Sequence, residues 1–224
     1  MGVLIPATLA AGQGAGQSSG QLDAVLSRMD QTAASFKSTQ TDFVWNQYSK
    51  VVNDTETQKG KMYFRRQSSG VEMAADITDP AKKYVLFQDS KVRVYEQRID
   101  QVTEYNTGKN KADFESFLVL GFGGRGHDLP KSFDVRYLGT EQAQGVNAAK
   151  LELVPKSAHV RNNIARILLW IDPARGVSVQ QQFFEPSGDY RLAKYSNIQL
   201  NPKISSDVFK LKTTGSTKVV SPQA

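Results

Sequence analysis

Cysteine is absent from the 224-residue chain, which excludes disulfides, zinc thiolates and thiol catalysis together. Histidine is scarce as well: His127 and His159 are the only two. They are isolated from each other and from any carboxylate at ligand spacing, so the sequence gives no metal set and no Ser/His/Asp triad, and both are expected on exposed loops. Hydrophobic runs of spanning length are missing too, since residues 3–11 (VLIPATLAA) are too few to cross a bilayer. Neither sign of charge dominates. Twenty-eight basic against 22 acidic residues leave +6, spread along the chain, which favours anionic surfaces weakly but forms no stripe for nucleic acid. No nucleic-acid partner is expected. The apolar fraction of 39% and mean hydropathy of −0.43 are low for a densely filled core yet far from disordered composition. A thin curved shell fits such numbers.

One domain is the default at this length, and it is placed at residues 20–213 between an arm (1–19) and a flexible tail (214–224). The arm begins with the short apolar run and continues as GQGAGQSSG. It reads as the end of a secretory signal with its tether, or as a natural disordered arm; the first reading puts the protein outside the cytoplasm.

Leu22, Val25, Leu26, Met29, Ala33 and Phe36 recur at helical spacing, with Asp23, Arg28, Asp30 and Gln31 on the other face. This spacing predicts an amphipathic helix over residues 21–36, either packed as ordinary core or serving as a lid. Alternating strands follow over residues 39–52 and 61–66, with a turn at 53–55. Gly70 opens another strand, ended by Asp79-Pro80, and residues 84–87, 92–96 and 99–105 continue the meander. Phe114, Phe117 and Leu118 predict a second short helix over 112–120, closed by GFGGRGHDLP. Strands at 132–138, 148–155, 165–172, 177–185 and 190–199 come next, then a turn at 205–207 and a last strand at 208–212.

Parity assigns the inward face. Phe43, Trp45, Met62, Phe64, Met73 and Ile77 face inward from the early strands, and Leu151, Leu153, Leu169 and Phe183 from the later ones. Leu22, Leu26, Met29 and Phe117 oppose them from the helices. No nucleophile, base or metal set accompanies these strands, so neither a catalytic residue nor a cofactor is expected, and the protein is read as a binding protein rather than an enzyme. Gly121, Gly123 and Gly126 satisfy G-x-G-x-x-G, but Pro130 follows closely and no helix of useful length opens there; a flexible loop or hinge is the better reading. Asp76 with Asp79, or Asp100 with Glu104, read as solvated charges rather than catalytic pairs.

A helix, a long hairpin, GKMYFRR, a strand ending in DP and then VRVYEQRIDQV succeed one another. Later come LELVPKS, ILLWIDP, VSVQQQFFEPSGDYRLAKYSNIQLN and KISSDVFKLK. In this order and spacing, residues 21–212 resemble the periplasmic outer-membrane lipoprotein carriers of the LolA type. The resemblance implies a mainly β, α+β fold: an unclosed antiparallel half-barrel with short helices as a lid over its concave apolar face. It further implies a monomeric periplasmic carrier. Such a carrier takes acylated lipoproteins or lipids from an inner-membrane release transporter and delivers them to an outer-membrane receptor. An envelope sensor or lipid-binding module without onward transfer is the alternative, and a lipid hydrolase a distant third. The family's arginine in a K/R-R-P pattern falls on Arg66, although Gln67 replaces the proline and the loop at 121–130 is longer and richer in glycine. By alternation Arg66 lies beside Met62 and Phe64 and needs acceptors, which carbonyls at the end of a lid helix would supply; alternatively it reaches out to solvent.

Overall fold

The computed structural model describes residues 13–68, 70–108, 117 and 120–222, with side chains from Ser18 onward. Helix α1 (Gln13–Ser35) is followed by β1 (Ser38–Ser49), β2 (Asp54–Gln67), β3 (Gly70–Asp79), β4 (Lys83–Gln88), β5 (Lys91–Glu96) and β6 (Gln101–Asn106). A second run comprises β7 (Phe133–Ala143), β8 (Val146–Pro155), β9 (Arg166–Asp172), β10 (Val177–Phe184) and β11 (Tyr190–Leu200), with β12 (Lys218–Val220) last.

Among the described residues twelve strands form one unclosed, curled sheet in the order β12-β6-β5-β4-β3-β2-β1-β11-β10-β9-β8-β7. Two antiparallel meanders, β1–β6 and β7–β11, are joined by pairing of β1 with β11, where Phe43 faces Tyr195 and Trp45 faces Ala193. Tight hairpins make the meanders possible: Asn53, the pair Asp89 and Ser90, and Gln144 with Gly145 all take positive φ at their turns, as short antiparallel connections require. The half-barrel implied by the resemblance is the fold that forms.

The concave face carries two apolar clusters. One gathers Phe43, Phe64, Met73 and Ile77, with Trp45 and Met62 packed against it. The other gathers Leu151, Leu153 and Leu169 with Leu26 and Met29, and Leu22, Phe117 and Phe183 pack against it. All ten residues assigned inward by parity, and all four assigned to the helices, fall in these two clusters.

Several element boundaries differ from the sequence reading. Helix α1 begins at Gln13 rather than Gln21, so part of the Gly/Gln/Ser stretch read as a tether is helical; extending an existing helix requires no new nucleation, and glycine is tolerated there at modest penalty. Strand β6 begins at Gln101 because Gln97–Ile99 makes a 3-10 turn that ends at left-handed Asp100. No strand forms at 208–212. Instead Ser206–Phe209 is a 3-10 turn that buries Phe209 against Ala74 and Leu86 on the outer face. The helix expected at 112–120 lies outside the described residues apart from Phe117 and Leu120.

The tail read as loose contains β12, which pairs in parallel with β6. Its anchor is Asp100, whose carboxylate accepts hydrogen bonds from Thr214 Oγ1 at 2.6 Å, Thr217 Oγ1 at 2.6 Å, Ser216 Oγ at 2.9 Å and Tyr95 Oη at 3.0 Å. Those hydroxyls, with Thr214 and Thr217 contributing most, hold the Asp100 carboxyl at about 2.

Candidate functional site

Helix α1 crosses the half of the trough built by β8, β9 and β10. Val25, Leu26 and Met29 are buried against Leu151, Leu153, Ile167, Leu169 and Ile171, so the stripe read at helical spacing is the face that meets the sheet. Polar contacts fix the helix lengthwise to the β9–β10 turn. Arg28 Nε donates to Ala174 O at 2.7 Å, and Thr32 Oγ1 donates to Arg175 O at 2.6 Å.

The other half of the trough is filled differently. Residues 120–124 enter it as a plug, and Phe122, only 1% exposed, stacks on Phe64 at 5.3 Å and meets Tyr195 edge-on at 4.8 Å. A buried loop must satisfy its backbone, and here three carbonyls of the plug have donors. Gln181 Nε2 donates to Leu120 O, Ser178 N donates to Gly121 O at 2.9 Å, and Arg66 Nη2 donates to Gly123 O at 2.7 Å. Gln181 is itself buried and accepts from Tyr195 Oη at 3.2 Å; full burial pushes the Tyr195 phenol up, keeping it a neutral donor.

This seating explains the glycines that resembled a nucleotide fingerprint. Gly121 has φ +75, and a Cβ there would lie 2.2 Å from the Cβ of Ser178; Gly123 has φ +83, and a Cβ there would lie 2.4 Å from the ring of Phe36. Both combine a left-handed backbone with a close approach, which only glycine tolerates. The loop is therefore a fitted plug among the described residues rather than the flexible loop read from its composition.

Arg66 ties plug and helix together. Besides Gly123 O, its guanidinium donates through Nη1 to Ala33 O at 3.0 Å and lies 5.4 Å from the Phe36 ring. Its backbone N donates to Lys37 O at 2.8 Å. The last turn of α1 contains no basic residue, so Arg66 supplies from β2 the cation that a helix C-terminus favours. The residue as a whole is exposed, yet its guanidinium is engaged by two backbone carbonyls rather than reaching freely into solvent. Asn201 completes the junction, with Nδ2 donating to Ser35 O at 3.0 Å and Oδ1 accepting from Lys37 N at 2.7 Å.

His127 requires a correction. It does not stand apart from carboxylates: Nδ1 lies 2.6 Å from Asp30 Oδ2, Nε2 lies 3.1 Å from Asp23 Oδ1, and its backbone N donates to Asp30 Oδ1 at 3.2 Å. Asp23 and Asp30 are two helical turns apart on α1, so they share a face, and the pairing emerges only once the Gly-rich loop folds onto that helix. Hydrogen bonding to Asp30 first, and to Asp23 second, raises the His127 pKa above its ordinary value. Next to it Gly126 lies so close to α1 that a Cβ would meet Leu26 O at 2.4 Å. His159 lies exposed in a single helical turn, Ala158–Arg161.

A cavity of about 380 Å³ remains beside α1, lined by Met29, Arg66, Val71, Leu129 and Phe133 among others. It falls at the small end of ligand pockets, about 300–1,000 Å³. Among the described residues no cluster of three or more His, Asp or Glu side chains is arranged to hold a metal ion. What the arrangement does is cover an apolar surface. Sequence reasoning placed the apolar lining and Arg66 but missed Phe122, Gln181, Asn201 and His127. A glutamine at an alternating strand position and an aromatic amid glycines were the signals available.

Residues 34–212 match the profile of the family described as outer membrane lipoprotein carrier protein LolA. Among solved structures, the chain is similar to one in the Pseudomonas aeruginosa MucA/MucB complex (TM-score 0.50, 16% identity, covering 85% of this chain and 61% of that one). It is also similar to MucB (TM-score 0.54, 14% identity, 88% and 64%) and to an uncharacterized conserved protein of Thermus thermophilus (TM-score 0.55, 12% identity, 90% and 99%). The chain thus spans less than two thirds of those two MucA/MucB and MucB chains. At these identities the likeness is one of fold. A comparison with curated proteins gives no match.

Proposed function

The chain belongs to the outer membrane lipoprotein carrier family, and on that premise we propose that it carries acylated lipoproteins through the periplasm, holding their acyl chains in the trough and passing them from inner to outer membrane. The observation that carries this reading is the cover over the apolar face. An apolar face of the sheet is occupied by the protein's own helix and plug, and both are joined by hydrogen bonds of one arginine, Arg66.

Energetics support such a cover. Burying an acyl chain of about 15 methylenes is worth roughly 12 kcal/mol, and three chains roughly 36 kcal/mol gross, beyond the practical limit of about 18–21 kcal/mol for reversible association. Cargo bound in full would not leave. A closed empty state with favourable contacts of its own reduces the net gain by the free energy of opening, and Phe122 on Phe64 and Tyr195 is a contact of that kind.

The test is transfer. The protein is incubated with donor membranes bearing an acylated lipoprotein, recovered, and presented to acceptor membranes carrying the envelope's receptor. Passage of the lipoprotein through a soluble complex to the acceptor is the expected result. Retention of cargo without release favours the second reading, a binding module that holds a partner, a role consistent with the MucA/MucB complex seen on a related fold. Failure to take up any acylated species sinks both.

A further inference from the structure

A cavity larger than the one beside α1 lies on the opposite face of the sheet. It measures about 580 Å³ and forms an open cleft between the outer surface of β2–β5 and the segment at residues 205–212. Its floor is ordered by strand register. Asp76, Tyr84 and Tyr95 stand directly opposite one another across β3, β4 and β5, and Tyr63 borders them from β2. The covering segment is tied down by Tyr84 Oη, which donates to Val208 O.

The charges around this cleft are incompletely matched. Four lysines line it. Lys210 pairs with Asp207 at 2.9 Å and Lys83 faces Glu96 at 3.9 Å, whereas Lys82 and Lys212 make no ion pair or side-chain hydrogen bond among the described residues, Lys212 acting on Asp207 only through its charge. The Asp76 carboxylate likewise has no such partner there, since Lys61 opposite it is engaged by Asp42. Burial, and next the charge of Asp76, push the Tyr84 phenol up to about 12, so it remains a neutral donor at physiological pH.

A simple anion placed in the cleft meets Asp76, and a simple cation meets the lysines. A ligand bearing both charges resolves the conflict. Its anionic end can lie at the rim between ammonium groups, which bind phosphate as point charges, and its cationic end can reach the carboxylate among tyrosine rings, whose faces attract ammonium. We propose that this outer cleft binds a phosphate group joined by a short linker to an amine, the chemistry of phosphoethanolamine, presented either as a free compound or as a phospholipid headgroup. The site lies across the sheet from the trough and stands independently of what the trough carries.

The test titrates the full chain with phosphoethanolamine and, separately, with inorganic phosphate, following NMR shifts of residues around Tyr84. Saturable binding is expected, with phosphate weaker by on the order of tenfold. The double substitution Lys82→Ala/Lys212→Ala should weaken phosphoethanolamine on the order of tenfold, and Asp76→Asn should abolish its advantage over phosphate. All three side chains are outside the buried clusters, and circular dichroism checks that the fold is kept. Flotation with phosphatidylethanolamine vesicles separates the sources. Vesicle binding that needs Lys82 and Lys212, without binding of the free compound, assigns the site to a lipid headgroup; binding of the free compound assigns it to a soluble one. Absence of saturable binding in both arms, or binding indifferent to all these substitutions, overturns the proposal.

Discussion

The two halves of the trough are closed by different means. Over β8–β10 the cover is a helix seated by its own apolar stripe and pinned lengthwise at the β9–β10 turn. Over β1–β4 it is a short loop with one large side chain, held by its carbonyls. The first cover is an extended packed surface; the second is a small contact set that few groups control. The contrast predicts that the plug opens more readily than α1.

The largest expected effect comes from emptying each half in turn. Phe122→Ala should cost about 3–5 kcal/mol and Leu169→Ala about 2–5 kcal/mol in urea unfolding. The two should diverge in hydrogen exchange. Loss of Phe122 should raise exchange of the plug and of its β2 and β10 partners while α1 stays protected, whereas loss of Leu169 should lower protection throughout. Matching exchange patterns in the two variants would erase the distinction between the halves.

Next in size is Arg66→Leu, which removes two hydrogen bonds to carbonyls and should cost about 1–3 kcal/mol. The plug is expected to exchange faster and an apolar dye to bind more strongly, with the α1 contacts near Ile171 unchanged in NMR. A variant whose plug stays as protected as in the parent protein would remove Arg66 from its place between the halves.

The smallest effect is pH-dependent and belongs to the helix side. Because the His127 pKa is raised by Asp30 and Asp23, its clasp is fully present below the ordinary histidine value and is lost as pH rises through the raised one. Contact between the loop and α1 should therefore loosen as pH rises above the ordinary histidine value, by less than about 1 kcal/mol for so exposed a cluster. His127→Gln should remove this pH dependence, followed by exchange at residues 126–128. A dependence of the same sign persisting in His127→Gln would place it elsewhere.

The trough lining was legible because strand alternation is short-ranged. The irregularity between β1 and β11 places its extra residue on β11, where Asn197 has positive φ, so β1 keeps its alternation through Phe43; that in β10 at Ser178/Gln180 comes before Phe183, so parity holds from there onward. Arg66 was legible by resemblance, and its need for acceptors by physics. The plug was not, because a Gly-rich string reads as mobile until Ser178, Gln181 and Arg66 are seen to hold its backbone. His127 was misread for a similar reason: its carboxylates lie on α1, about a hundred residues upstream. The end of the chain was misread because Thr214, Ser216 and Thr217 gain meaning only around Asp100.

The pairing of β1 with β11 has a consequence for how the molecule comes into being. Among the described residues it is the only strand pairing between the two meanders, and it joins the first strand made to one completed only at Leu200. Each meander can form from local contacts, but the seam must wait for residues far apart in sequence, the slow and exposed kind of contact. Until then the outer edge of β1 is an unpaired strand. The trough is thus a late product of folding, and substitutions along the seam, from Phe43 to Tyr195, should slow its assembly more than substitutions within either meander.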